Sequence, residues 1–219
     1  MTQEQYLQDT LIRSDIYRQI YHLFEYPGED SGIFLLKRME LSLPYKADPL
    51  DLNSIKKQMI DFLEKDSSHE ETEAEYVRLF DYRPVCPPYE TAYRKGVRPH
   101  QFINELVSLY GESGIKCDET RAPDHISVEF EFMHYLCFKE ATAAESEQAA
   151  WKDRQRSFFN DHLYEWVPVM CEKLIQKAAS PFSLLGEMIR IIMQAEAAWL
   201  EHTGAASGTI QSSSDIKNN

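Results

Sequence analysis

Glycine and proline are scarce, 8 and 10 in 219 residues, where average usage would put about 12% of a chain in these two types. So few turn formers exclude collagen-like and low-complexity architectures and argue against a fold of many short strands. Cys86, Cys117, Cys137 and Cys171 stand far apart, with no Cys-x-x-Cys pair and no Cys/His cluster of zinc spacing. They read as free thiols of a reducing compartment. No stretch reaches the roughly 18 apolar residues of a membrane span, and the N-terminus has neither the basic region nor the apolar core of a secretory signal. A cytoplasmic protein with no direct membrane insertion is expected. Positive charge is short too: 23 Lys and Arg stand against 36 Asp and Glu, for a net charge of -13. That balance opposes attraction to nucleic acid or anionic lipid and favours basic partners. Gly-x-x-x-x-Gly-Lys-Ser/Thr, Gly-x-Gly-x-x-Gly, Gly-x-Ser-x-Gly and His-Glu-x-x-His are all absent, so the usual nucleotide and hydrolase signatures are missing.

What is present is bulky apolar side chain, with 12 Tyr, 11 Phe and 7 Met, arranged at helical spacing. Leu7, Leu11, Ile16, Ile20, Leu23 and Phe24 predict a first helix from Gln3 to Phe24, closed by Pro27-Gly28. Shorter helices follow at Gly32 to Leu41, at Asn53 to Leu63 after Pro44 and Pro49, and at Ser67 to Phe80, whose acidic start suits a helix dipole. An ordered, locally basic loop with Pro84, Pro87, Pro88, Gly96 and Pro99 leads to a helix over His100 to Tyr110, which Gly111 and Gly114 end. A hinge or linker at about 111–122 separates it from a helix starting at Pro123-Asp124-His125, with Asp124 as the expected cap, and ending near Ala144. Helices over Ser146 to His162 and Leu163 to Ala179, with a break near Asp161 to Tyr164, precede a last one from Phe182 to about His202. Residues 204–219 read as a disordered tail. The expected fold is all-α, a single-domain bundle of about nine helices over residues 1–203.

Two segments carry candidate chemistry. Asp124, His125 and Glu129 could present an imidazole and a carboxylate one turn apart. The plainer reading makes Asp124 a cap and His125 with Glu129 a solvated pair. Pro87-Pro88-Tyr89-Glu90, stiffened by its prolines and set among Arg83, Arg94, Lys95 and Arg98, is a preorganised surface suited to recognition. Tyr76, Leu79 and Phe80 are core residues by default, and Cys117 and Cys137 have no assigned role.

Taken in order, Glu75-Tyr76-Val77-Arg78-Leu79-Phe80, Pro87-Pro88-Tyr89-Glu90-Thr91, Pro123-Asp124-His125 with the Ile126 to Met133 helix start, and Phe159 to Pro168 resemble the TorD/DmsD/NarJ family, cytoplasmic chaperones that mature molybdenum-cofactor reductases. The resemblance spans about Leu11 to Leu200, and one departure is Arg121, with Glu119 nearby, where the family has an acidic residue. It implies a TorD-like, non-enzymatic chaperone that binds the twin-arginine leader, or another N-terminal segment, of a reductase catalytic-subunit precursor, assists cofactor insertion and delays export. No cofactor is required for that role, although transient binding of the molybdenum cofactor or its precursor, and weak GTP binding, attach to the family.

The peptide-binding residues so implied are Tyr76, Leu79, Phe80, Pro87, Pro88, Tyr89, Glu90, Asp124, His125 and Glu129. Asp124 and Glu129 would meet the arginines, His125 would shape the hinge, and Tyr76, Phe80 and Tyr89 would line the apolar part. A protonated His125 would weaken the grip on a basic peptide. Two other functions compete: a helical adaptor or regulatory subunit of a redox complex, and an enzyme using Asp124, His125 and Glu129 on a nucleotide or metal. A monomer and a domain-swapped dimer exchanging helices through 111–122 are both consistent with the pattern.

Overall fold

Capping side chains and prolines set the helix boundaries in the computed structural model, which describes residues 2–41, 43, 49–65, 67–118 and 120–208. Thr2 accepts the Gln5 N–H and starts α1 (Gln3–Ile20). α2 (Pro49–Lys65) opens at a proline, and Ser68 and Glu71 cap α3 (His69–Phe80) reciprocally, each side chain bonding the other's backbone N–H. Pro99 occupies the first turn of α4 (Pro99–Glu112), where its missing N–H costs nothing. His125 caps α5 (Ile126–Thr142), its Nδ1 accepting the Ser127 N–H at 3.2 Å. α6 (Glu145–Phe158), α7 (Tyr164–Lys177) and α8 (Phe182–Gly208) complete the chain, and the described residues contain no strand, only an isolated bridge between Tyr89 and His125.

Helix α1 lies along α5, α5 packs on α6, and α7 packs on α8. The all-α expectation holds, with eight α-helices among the described residues supplemented by shorter turns. Tyr17, Phe130, Phe158, Phe159 and Trp166 fill the centre and are each almost completely buried. A second set of buried groups is polar. Arg13 of α1 donates through Nε to Glu196 Oε2 of α8 at 2.9 Å and pairs with the other Glu196 oxygen. It also donates to Gln155 Oε1 of α6 at 3.0 Å, while Gln155 Nε2 donates to Glu140 Oε2 of α5 at 2.6 Å. Four helices are joined by one chain of charge-assisted bonds.

Several boundaries differ from expectation. Residues Tyr21–Phe24 and Gly32–Arg38 form 3-10 turns rather than α-helix. Gly32 has φ +58, and a Cβ there would sit 2.7 Å from the Glu25 carbonyl oxygen, so the chain is folded back too tightly for a regular helix. No break separates α6 from α7; Phe159–Leu163 is a π turn that carries the helix through, and Pro168 lies inside α7. Of the two glycines expected to end α4, only Gly114 is left-handed, at φ +86. α8 runs on to Gly208, beyond the His202 end expected for it. Pro44, Glu119 and the tail from 209 onward lie outside the described residues.

Candidate functional site

The segment 81–98 between α3 and α4 is pinned first at its start, where Val85 N–H and Cys86 N–H donate to the carbonyls of Arg78 and Leu79. It then runs beside the approach to α5. Glu90 N–H donates to the Asp124 carbonyl and Ile126 N–H to the Pro88 carbonyl, both at 2.9 Å, which makes the Tyr89–His125 bridge. Pro87-Pro88-Tyr89-Glu90 and Pro123-Asp124-His125 therefore form one unit.

Asp124, expected as the cap of α5, does something else. It is 3% exposed, and its Oδ2 accepts the Thr91 hydroxyl at 2.6 Å and the Thr91 N–H at 3.2 Å. The cap is His125, whose Nδ1 also lies 2.7 Å from the Ser127 hydroxyl. Burial, helped by the positive charge of Arg121, lowers the His125 pKa to about 4. The imidazole is thus neutral near pH 7, and the proposed weakening of a basic ligand by protonated His125 between pH 5.5 and 8 does not follow.

Glu129 and His125 are not a solvated pair. Glu129 is completely buried, with Oε2 accepting the indole N–H of Trp166 at 2.9 Å. Its other oxygen has no N–H or hydroxyl donor, and the carboxyl instead hydrogen-bonds the carboxyl of Glu90. Two carboxyls can do this only with a proton between them. Burial first, and the neighbouring Glu90 second, push the Glu129 pKa well above the ordinary carboxylate range. Glu90 is itself fully buried and collects two further donors: Arg94 Nε to Oε1 at 2.7 Å and His162 Nδ1 to Oε2 at 3.0 Å. Direct contact of Asp124 or Glu129 with a ligand's guanidinium, as expected from the sequence, is closed in this conformation because both carboxyls are sealed beneath the loop.

The remaining candidates divide by depth. Leu79, Phe80 and Pro88 are buried, Tyr76 and Pro87 are partly covered, and Tyr89 reaches solvent. Tyr76 stands edge-on to Phe80 at 5.2 Å and to Tyr26 at 5.5 Å, and Tyr89 stands edge-on to His125 at 5.2 Å. Sequence reasoning missed Tyr26, which is 51% exposed and extends this aromatic surface, and Tyr82 of the 81–98 loop, which is 78% exposed. It also missed Arg94, Trp166 and His162 as the partners of Glu90 and Glu129. His162 and Trp166 sit in the segment already singled out by resemblance, so a signal for them existed. Among the described residues no group of three or more His, Cys, Asp or Glu could hold a metal ion.

A family model described as nitrate reductase delta subunit matches residues 46–172, more than half of the chain. The chain belongs to the nitrate reductase delta subunit family. The matched span contains Tyr76 to Phe80, the 81–98 loop, Asp124 to Glu129 and Trp166, while Tyr26 lies before it. Similar proteins with curated names are a selenate reductase assembly chaperone protein of Thauera selenatis, 26% identical over 66% of this chain and 78% of its own, and a perchlorate reductase assembly chaperone protein of Dechloromonas aromatica (strain RCB), 30% identical over 52% and 54%. A chlorate reductase assembly chaperone protein of Ideonella dechloratans is 30% identical over 48% of this chain and 58% of its own. The alignments thus span little more than half the length of the last two relatives. These relatives are assembly chaperones by name, which supports the redox-enzyme maturation family inferred from the motifs and a non-enzymatic member of it. No helix among the described residues is long and apolar enough to cross a membrane.

Proposed function

We propose that this protein is a cytoplasmic maturation chaperone that holds the precursor of a reductase catalytic subunit by an N-terminal segment such as a twin-arginine leader. The observation that carries the reading is the family match over the span that builds the aromatic loop surface. Exposed Tyr26 and Tyr89, backed by Tyr76 and Phe80, offer ring faces to apolar side chains and to guanidiniums, and the Glu73 carboxylate lies beside Tyr26 at the same surface. In this reading Pro87, Pro88, Leu79, Asp124, His125 and Glu129 hold the surface in shape, while Tyr76, Tyr89 and neighbouring carboxylates meet the peptide. Delay of export and help with cofactor insertion would follow from occupying the leader.

Direct binding of the molybdenum cofactor or GTP finds less support. The hollow of about 320 Å³ between the 110–121 segment and α5 is lined mainly by apolar groups, with Lys116 and Arg121 its cations. That is a poor match to a polyanionic ligand, and the proposed role uses neither group. The family description as a subunit favours one other reading, an adaptor that stays on its enzyme. Affinity capture of the tagged protein from its anaerobically grown host, with mass spectrometry of the partner and its N-terminus, separates the two. A cofactor-free catalytic subunit that retains its leader is expected; a stable complex with mature, loaded enzyme would replace the chaperone by the adaptor.

A further inference from the structure

The guanidinium of Arg94 lies in a setting that reads as a receptor. Its Nε donates to Glu90 Oε1 at 2.7 Å, one terminal nitrogen bonds the Asp161 carbonyl, and the other lies 3.6 Å from the Glu165 carboxylate. The ring of Phe102 stands 5.8 Å from the guanidinium carbon. Carboxylates on two sides, a carbonyl and an aromatic ring are what a planar, five-donor cation needs and what a lysine ammonium uses poorly. The carbonyl comes from the π turn Phe159–Leu163, a wide turn of a kind often found where helices carry function. The floor of the site is rigid, since Glu90 is completely buried and held from behind by His162 and Glu129. Its mouth is open: Arg94 reaches in from a surface loop with 21% of its side chain exposed, and Glu165 at the rim is 61% exposed.

We propose that this is a guanidinium-binding pocket which Arg94 fills in cis and from which an arginine of a bound partner displaces it. The inference rests on the basic-peptide reading above and supplies the contact that buried Asp124 and Glu129 cannot make. Exchange of one arginine for another leaves the charge around Glu90 unchanged. The buried carboxylate is therefore never stripped of its cation, and the large cost of an uncompensated buried charge is avoided throughout. Release of Arg94 also frees the end of the 81–98 loop that carries Tyr89, so occupancy of the pocket is reported to the aromatic surface.

The test begins with Arg94→Ala. Its thermal midpoint should fall, and millimolar ethylguanidinium should restore most of the loss at constant ionic strength while ethylammonium does not. Equal rescue by both cations, or by neither, overturns the pocket. If that variant fails to fold, the wild-type protein answers by NMR of the Arg94 Nε–H. A synthetic twin-arginine leader peptide should move this signal to the position of a solvated arginine, and the Lys-Lys counterpart should do so at least tenfold less effectively. An Arg94 signal that stays in place while the twin-arginine peptide binds overturns displacement. An empty affinity capture alongside selective ethylguanidinium rescue would remove the chaperone reading and leave the pocket standing.

Discussion

The molecule contains two buried polar clusters built from similar parts and put to different ends. In the first, Arg13, Glu196, Gln155 and Glu140 project from the α-helices α1, α8, α6 and α5, and the cation and its carboxylate are both almost fully buried. In the second, Glu90, Glu129, Asp124, Arg94 and His162 come from a loop, a helix start and a π turn, and the cation lies at the surface. Helix interiors fix their side chains by packing, so the first cluster has one arrangement and serves as a bolt. Loop-borne groups are held mainly by one another, and the second cluster carries a surplus carboxyl that survives only by keeping its proton. Buried charge is architecture where the backbone is regular and adjustable machinery where it is not.

The comparison breaks most visibly at Arg13. Arg13→Ala strands Glu196 in the core and should cost about 3–5 kcal/mol in urea unfolding, more than Glu129→Ala in the loop cluster. A smaller loss there than for Glu129→Ala would reverse the ranking of the two clusters. Next in size is Glu129. Its replacement by Ala leaves the Trp166 indole and Glu90 without their partner and should cost about 2–3 kcal/mol. Glu129→Gln keeps an acceptor for Trp166 and a donor for Glu90, so it should stay within about 0.5 kcal/mol at pH 7. A Gln variant as unstable as the Ala variant would show that Glu129 is needed as an anion.

The smallest effect is a pH dependence. The folded-state pKa of His125, about 4, lies below the 6.5 of an unperturbed histidine, so the unfolded chain takes up the proton first as pH falls. Stability should drop by roughly 1 kcal/mol from this group between pH 7.5 and 5.5, and His125→Asn should flatten that limb. Glu129 acts with the opposite sign: its raised pKa means the unfolded chain loses a proton that the folded chain keeps, so its contribution falls as pH rises above 4.5. Urea titrations of the two variants across pH 4.5–8 separate the limbs, and an unchanged acid limb in His125→Asn would sink the assignment to this ring.

Local patterning made the helices readable, because apolar residues at three- and four-residue spacing mark a buried stripe wherever the fold later puts it. Arg13 and Glu129 lie on those stripes, with Ile16 and Ile20 in one case and Ile126, Phe130 and Met133 in the other. Their burial was therefore legible, and their polarity concealed it. Asp124 was misjudged for another reason. It is a favoured cap by type, but its partner Thr91 is 33 residues away in sequence, and no local rule can find a bond of that span. The same holds for Glu129 and Trp166, 37 residues apart. The motifs located the site; which side chains face outward was decided by contacts between segments.

The π turn has a consequence beyond its carbonyl. A turn with i to i+5 bonding holds one residue more than an α turn, and one residue on a helix is worth about 100° of rotation. The insertion within Phe159–Leu163 therefore acts as a phase shifter. It lets α6 show Gln155 and Phe158 to the interior while α7, on the same continuous rod, turns Trp166 toward Glu129. Removing that single residue would swing Trp166 away from its carboxyl without breaking the helix, so the length of this stretch, as much as its composition, sets how the two clusters face each other.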